Sequence, residues 1–196
     1  MKKQSGQTSP KTIVGIDYSL TSPAICIADE SFEFDKCHFY YLTNKKKHVG
    51  KMYKNIQGDE HKEYNSPIER LKNISDWAVN KINTLENLKT DMSIFIEGYS
   101  YGSKGQAVFQ IAENGGILKY RLEQLKLNYD IIVPSVVKKM ATGKGNADKE
   151  MMYEQFTKDN KIDLKKEFDM GKLNNPVTDI VDSYYIAKGG IELNDK

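Results

Sequence analysis

Cysteine is nearly absent. Cys26 and Cys37 are the only two in 196 residues, and they form no CxxC pair. That excludes a disulfide framework and a cysteine-ligated zinc site, and it fits a reducing cytoplasm. No run approaches about 18 consecutive apolar residues, so no transmembrane helix is expected. The first residues, MKKQSGQTSPKT, lack an apolar h-region, so no secretory signal is expected and a cytoplasmic location is. The three histidines, His38, His48 and His61, fall at no ligand-like spacing and are expected on the surface. Arginine is scarce as well: only Arg70 and Arg121 among 29 basic residues, the other 27 being lysine. Lysine is a flexible point charge suited to phosphate, whereas arginine is the usual bidentate reader of guanine. If this chain binds DNA, contacts to the backbone should outnumber contacts to base edges. The net charge of +2 excludes a strongly basic coat protein or an acidic tail, but a sum hides its distribution and does not exclude nucleic acid.

What is present supports a folded domain, since 39% of the residues are hydrophobic. Residues 1–11 read as a loose tail, 12–190 as a single domain with a lysine-rich insertion at 43–66, and 191–196 as a second tail. Thr12–Asp17 is a short β-branched run that stops at an acid, the pattern of a buried strand. Ala24–Ala28 and Cys37–Leu42 read as two more strands of an antiparallel meander. The polar stretch Thr43–Ser66 carries Lys45, Lys46, Lys47, Lys51 and Lys54 and shows no periodicity. At about 24 residues it is long for a connection. We expect it to be a DNA-facing arm.

Pro67 opens a helix whose apolar stripe is Ile68, Leu71, Ile74, Ala78, Ile82 and Leu85. Met92–Ile96 is a strand ending at Glu97. A Gly/Ser turn, Gly98–Gly105, leads into a helix over 105–126. Tyr129–Val133 is a strand stopped by Pro134. Lys138–Ala147 reads as a basic turn and Ala147–Phe156 as a helix. The last helix runs from Pro176 to about Gly189. Strands come first, then alternate with helices. This order predicts an α/β fold with a mixed sheet and helices on both faces.

Two acids, Asp17 and Glu97, sit directly at strand ends. A carboxylate buried there needs solvent, a partner or a cation. Asp179 and Asp182 are three residues apart on the last helix, which places both on one face near its N-terminus. Four acids on three separated elements would make a site of hard oxygen ligands, suited to Mg²⁺ or Mn²⁺. Two such ions can clamp a phosphodiester, one activating water and the other stabilising the leaving oxygen.

With these residues in place, the chain resembles a RuvC-type Holliday junction resolvase of the RNase H-like (retroviral integrase) superfamily. Ile13-Val14-Gly15-Ile16-Asp17 resembles the family's first strand with its catalytic aspartate. Ile94-Phe95-Ile96-Glu97 resembles the fourth strand with its glutamate. Lys138 to Lys149 resembles the K-x-x-x-x-G-x-G-x-A-x-K segment, and Asp179-x-x-Asp182 the paired aspartates of the last helix. The resemblance implies an RNase H-like fold with a five-stranded mixed sheet, its first three strands antiparallel, flanked by helices on both faces. It implies a homodimer that binds four-way DNA junctions and nicks two strands with Mg²⁺, leaving 5′-phosphate ends. Asp17, Glu97, Asp179 and Asp182 would be the catalytic metal ligands. Lys138 and Lys149 would contact DNA, with Lys139, Lys144, Lys104, Lys45, Lys46 and Lys47 as further phosphate contacts. Tyr99 or Tyr101 would stand where the family can carry an aromatic wedge. The chain departs from the family in three places. Tyr18-Ser19 replaces Pro-Gly after the first aspartate, Tyr184 replaces a histidine found in some members, and the 43–66 stretch is long. These departures resemble a phage-encoded member.

Three other readings compete. An RNase H would usually place its glutamate on a helix and an aspartate at the end of the fourth strand. The actin-like sugar kinase and chaperone ATPase group shares the GIDxSxT pattern of Gly15–Thr21, but needs two such domains. A non-catalytic junction-binding protein would not need all four acids.

Overall fold

The computed structural model describes residues 11–84, 92–99 and 106–194. Its centre is β1 (Thr12–Asp17), which pairs antiparallel with β2 (Ala24–Ala28) on one side and parallel with β6 (Met92–Glu97) on the other. β2 pairs antiparallel with β3 (His38–Thr43), so the first three strands form the expected meander. β7 (Tyr129–Ile132) lies parallel to β6.

The sheet has seven strands, not the five expected, in the order β4-β5-β3-β2-β1-β6-β7. The two extra strands come from the stretch expected to be an arm. β4 (Met52–Tyr53) and β5 (Ile56–Glu60) form a small hairpin, and β5 adds to the edge of β3 in parallel. Only Ile56 and Gly58 face inward, too few positions to register as an alternation. Gly58 is required there, because a Cβ would meet the Tyr41 ring. The Tyr41 hydroxyl donates to the His48 carbonyl at 2.8 Å, which draws His48 inside. His48 is 5% exposed, against the expectation of a surface residue, and its ring packs on Phe168. His38 is exposed as expected, and half-buried His61 donates to the Thr21 carbonyl.

Strand alternation sorts the core into two layers. Val14, Ile16, Ile94 and Ile96 face α1 (Pro67–Asn83) and α2 (Gln106–Gln124). Ile13 and Phe95 face the opposite layer, with α3 (Pro134–Thr142), α4 (Lys149–Asn160), the single turn α5 (Leu164–Glu167) and α6 (Val177–Asn194). Ser66 caps α1 by accepting from the Glu69 amide, and Pro67 supplies a pre-set first residue. Asp148 caps α4 in the same way.

The helices differ from expectation in several places: α4 runs on to Asn160, past the expected end at Phe156, and the turn α5 was not expected. The segment read as a turn from Lys138 is helical to Thr142. Val136, Val137 and Ala141 face the core there and Met140 packs on α6 at Gly189, a stripe masked by the lysines between them. Gly143, at φ +79°, closes that helix in the left-handed region. α6 continues to Asn194, so residues 191–194 of the expected tail are helical.

Candidate active site

β1 and β6 are adjacent and parallel, with Ile16 level with Ile96, so Asp17 and Glu97 leave the sheet side by side. The two-residue period puts Asp17 on the face of Ile13 and Gly15, and Glu97 on the face of Phe95. That is the face covered by α6. The helix comes close because two glycines let it. A Cβ on Gly15 would meet the Ser183 carbonyl oxygen and the Ala187 amide nitrogen, and one on Gly190 would enter the Phe95 ring. This seating lays the first turns of α6, with Asp179 and Asp182, over the ends of β1 and β6.

The electrostatics show that the four acids sense one another. Burial pushes the Asp17 carboxyl well above the usual aspartate range, and the charges of Asp179, Asp182 and Glu97 push the same way. Burial, then Glu97 and Asp179, raise Asp182 to about 7. Burial raises Asp179 to about 6, against the pull of Ser22 and Lys149. Glu97 is raised by burial and held back by Lys138 and Lys149. Among the described residues, no three His, Cys, Asp or Glu side chains stand close enough together, as they are placed, to hold a metal ion between them. The four carboxylates are an open set of hard oxygen donors whose charge is under-compensated. A divalent cation would relieve that deficit, so the donor chemistry fits Mg²⁺ or Mn²⁺.

The lysines divide by position. Lys138 on α3 and Lys149 at the start of α4 both act on the acids, and Lys149 Nζ lies 3.5 Å from Thr178 Oγ1. Lys139 on α3 and Lys144 in the turn that follows it are both exposed. Lys45 donates to the Asn175 carbonyl at 2.9 Å, and its charge also lowers Asp179. Lys47 donates to the Asp169 carbonyl and carboxylate, and Lys51 to the Glu167 carbonyl. Lys46 is exposed. The 43–66 stretch is therefore folded against the segment before α6 and is not a free arm. Tyr99 is 48% exposed, donates to the Ala112 carbonyl and lies under Lys119 Nζ, 4.9 Å from its ring centroid. Tyr101 and Lys104 lie outside the described residues.

A cleft of about 360 Å³ opens beside Asp17 and Glu97, walled by Leu20, Ile96, Tyr99, Ile111 and Lys119. A larger hollow of about 1080 Å³, lined by Glu33, Asp35, Asp159, Asp163 and Lys166, contains none of the four acids. It lies towards the other end of the sheet, beyond Ala28, which pairs with Ile13. Tyr184, at the position where some family members carry a histidine, is 2% exposed and donates to the Phe32 carbonyl. It is a core residue and supplies no base to the acids.

Sequence reasoning missed Ser22. Its hydroxyl donates to Asp179 Oδ2 at 2.5 Å. Nothing in the pattern separates Ser22 from the neighbouring hydroxyls of Ser19 and Thr21.

Searches against protein-family models and against curated proteins found no match. Solved structures do match in fold. A structure of Thermus thermophilus RuvC aligns with a TM-score of 0.56 at 13% identity, over 94% of this chain and 95% of that one. T. thermophilus RuvC in complex with Holliday junction substrate aligns with a TM-score of 0.60 at 11% identity, over the same shares. The chain thus has the RuvC (RNase H-like) fold, with the β4–β5 hairpin at one edge of its sheet.

Proposed function

We propose that this chain is a structure-selective endonuclease that resolves Holliday junctions and other branched DNA by metal-dependent paired nicking. One observation supports the reading: Asp17, Glu97, Asp179 and Asp182 lie near enough to raise one another's carboxyls where β1 and β6 end under α6, in a fold shared with a RuvC that was solved with a Holliday junction.

In this reading the four carboxylates hold Mg²⁺, with Mn²⁺ as a substitute and two ions per site. The ions would supply an activated water and stabilise the leaving oxygen. The chain's own residues do the positioning. Lys149 and Lys138 stand beside the acids and would draw the scissile phosphate in, while Lys139 and Lys144 extend the positive approach. Burial of the acids keeps bulk water away, which strengthens each charge–phosphate contact. Hydrolysis leaving a 5′-phosphate would need no protein nucleophile, because water attacks the phosphorus directly. The two arginines, Arg70 and Arg121, are engaged with the Leu20 carbonyl and with Asp76. Recognition would accordingly rest on backbone and shape.

Paired nicking needs two sites, and we assign the second to a homodimer. Ile68, Phe109 and Tyr120 on α1 and α2 are 62–70% exposed, an apolar face left uncovered among the described residues. A hollow lined by Pro67, Leu71, Gly116 and Ile117 runs between them.

The test is a cleavage assay on four-way, three-way, linear and RNA–DNA hybrid substrates, with Mg²⁺ and with EDTA. We expect symmetric nicks in four-way DNA with Mg²⁺ and none with EDTA. Cutting of hybrids but not junctions would establish an RNase H instead. Tight junction binding without cutting would make the chain a junction-binding protein.

A further inference from the structure

We infer that Ser22 is a positioning residue that fixes the Asp179 carboxylate in its metal-binding orientation. The inference rests on the proposed metal site. Ser22 and Asp179 are 157 residues apart in sequence, and each is only 4% exposed. At 2.5 Å their contact has the length of a charge-assisted O–H···O⁻ bond, one of the stronger kinds available to a side chain. Among the described residues, Asp17, Glu97 and Asp182 accept no side-chain hydrogen bond, so Asp179 alone of the four is anchored before any cation arrives.

The anchor is itself held. The Ser22 amide donates to Ser19 Oγ at 3.0 Å, which closes the turn leaving β1, and Pro23 follows before β2 begins at Ala24. The turn thus returns Ser22 to α6 five residues after Asp17 has pointed at the same helix. The other hydroxyl near Asp179 is a weaker tether. Thr178 Oγ1 lies 3.3 Å from Asp179 Oδ1 but 3.0 Å from Asn175 Oδ1, and one proton serves only one acceptor. With Oδ2 engaged by Ser22, rotation of the carboxylate is restricted, and Oδ1 is left without a committed donor. A hydrogen bond of this kind to a ligating carboxylate tunes metal affinity without touching the metal.

The experiment titrates Mn²⁺ into the full chain by calorimetry for wild type, Ser22→Ala and Ser22→Thr, with melting curves as the control for folding. Junction cleavage is measured in parallel against Mn²⁺ concentration. We expect Ser22→Ala to bind Mn²⁺ about 10-fold more weakly or worse. Its KM for the junction should be unchanged, and its cleavage should recover at saturating Mn²⁺. Ser22→Thr, which keeps the hydroxyl, should stay close to wild type. Equal Mn²⁺ affinity in wild type and Ser22→Ala overturns the inference, as does equal weakening of both folded variants. If wild type binds Mn²⁺ but cuts no junction, the proposed function fails while the calorimetry still decides the role of Ser22.

Discussion

Asp182, with its carboxyl at about 7, and Asp179, at about 6, make metal-free folding oppose itself at neutral pH. An aspartate of an unfolded chain ionises near 4. Between pH 4 and 7 the folded protein therefore holds more protons at these groups than the unfolded chain does. Their contribution to stability is full below about pH 4 and is lost as pH rises through 6 to 7. His48 and His61, both lowered by burial, act in the opposite direction, so a difference measurement isolates the acids. Asp182→Asn mimics the protonated acid. In EDTA it should match wild type at pH 4.5 and exceed it at pH 8 by a few kcal/mol, roughly 5–10 °C in Tm. A pH-independent gap would show that Asp182 is not under this strain. Mg²⁺ should raise the wild-type Tm at pH 8 and leave that of the variant nearly unchanged. Asp179→Asn should still bind four-way junctions in a mobility assay while Mg²⁺-dependent nicking falls below detection. A variant that still cuts would remove Asp179 from the site. At this scale the sequence was legible for the four acids, because a charge ending a buried strand and a pair one helical turn apart both stand out from their surroundings. Ser22 and His48 were not legible. Their roles come from Asp179 and Tyr41, residues that the chain brings to them by folding.

The elements carry a different sensitivity, since α6 is placed by its contact with bare backbone at Gly15. Gly15→Ala would drive a methyl into the Ser183 carbonyl and the Ala187 amide, and neither backbone can move cheaply. The expected loss is about 3 kcal/mol or more, at the upper end of what core overpacking costs. Any folded remainder should lose cleavage too, because Asp179 and Asp182 ride on the displaced helix. A denaturant melt close to wild type would mean that α6 can reseat. The contacts of the β4–β5 edge tolerate more. Lys47 and Asp169 are both exposed, so Lys47→Ala should change stability by less than about 1 kcal/mol. β1 and β6 were legible because buried strands announce themselves as unbroken apolar runs. α3 was not, because lysines at 138 and 139 interrupt its apolar face. β5 was not, because an edge strand with two inward residues carries almost no pattern.

At the scale of the whole molecule stand the proposed second copy and the distribution of charge. An apolar face of Ile68, Phe109 and Tyr120 should join two chains, so the wild type should sediment as a dimer. Ile68→Asp combined with Tyr120→Asp should sediment as a monomer and give single nicks in place of paired ones. A monomeric wild type that still makes paired nicks would remove this face from the mechanism. Affinity for a four-way junction should fall steeply with salt, because 27 lysines and two engaged arginines favour phosphate over base contacts. Binding that ignores salt would show that bases are being read.

By itself the sequence put forward the chemistry on offer: four acids as candidate hard oxygen donors and lysines as candidate phosphate contacts. It also determined the buried strands that end in Asp17 and Glu97, because local pattern is enough to specify a strand and its last residue. The tertiary structure alone decided that these two strands lie side by side, that two glycines admit α6 against them, and that Ser22 reaches Asp179 across 157 residues. It also turned the lysine-rich stretch into a sheet edge bound to the segment before α6. Those outcomes depend on which surfaces meet. A linear pattern records what each residue can do, whereas the meeting of surfaces is fixed by packing between residues far apart in the chain.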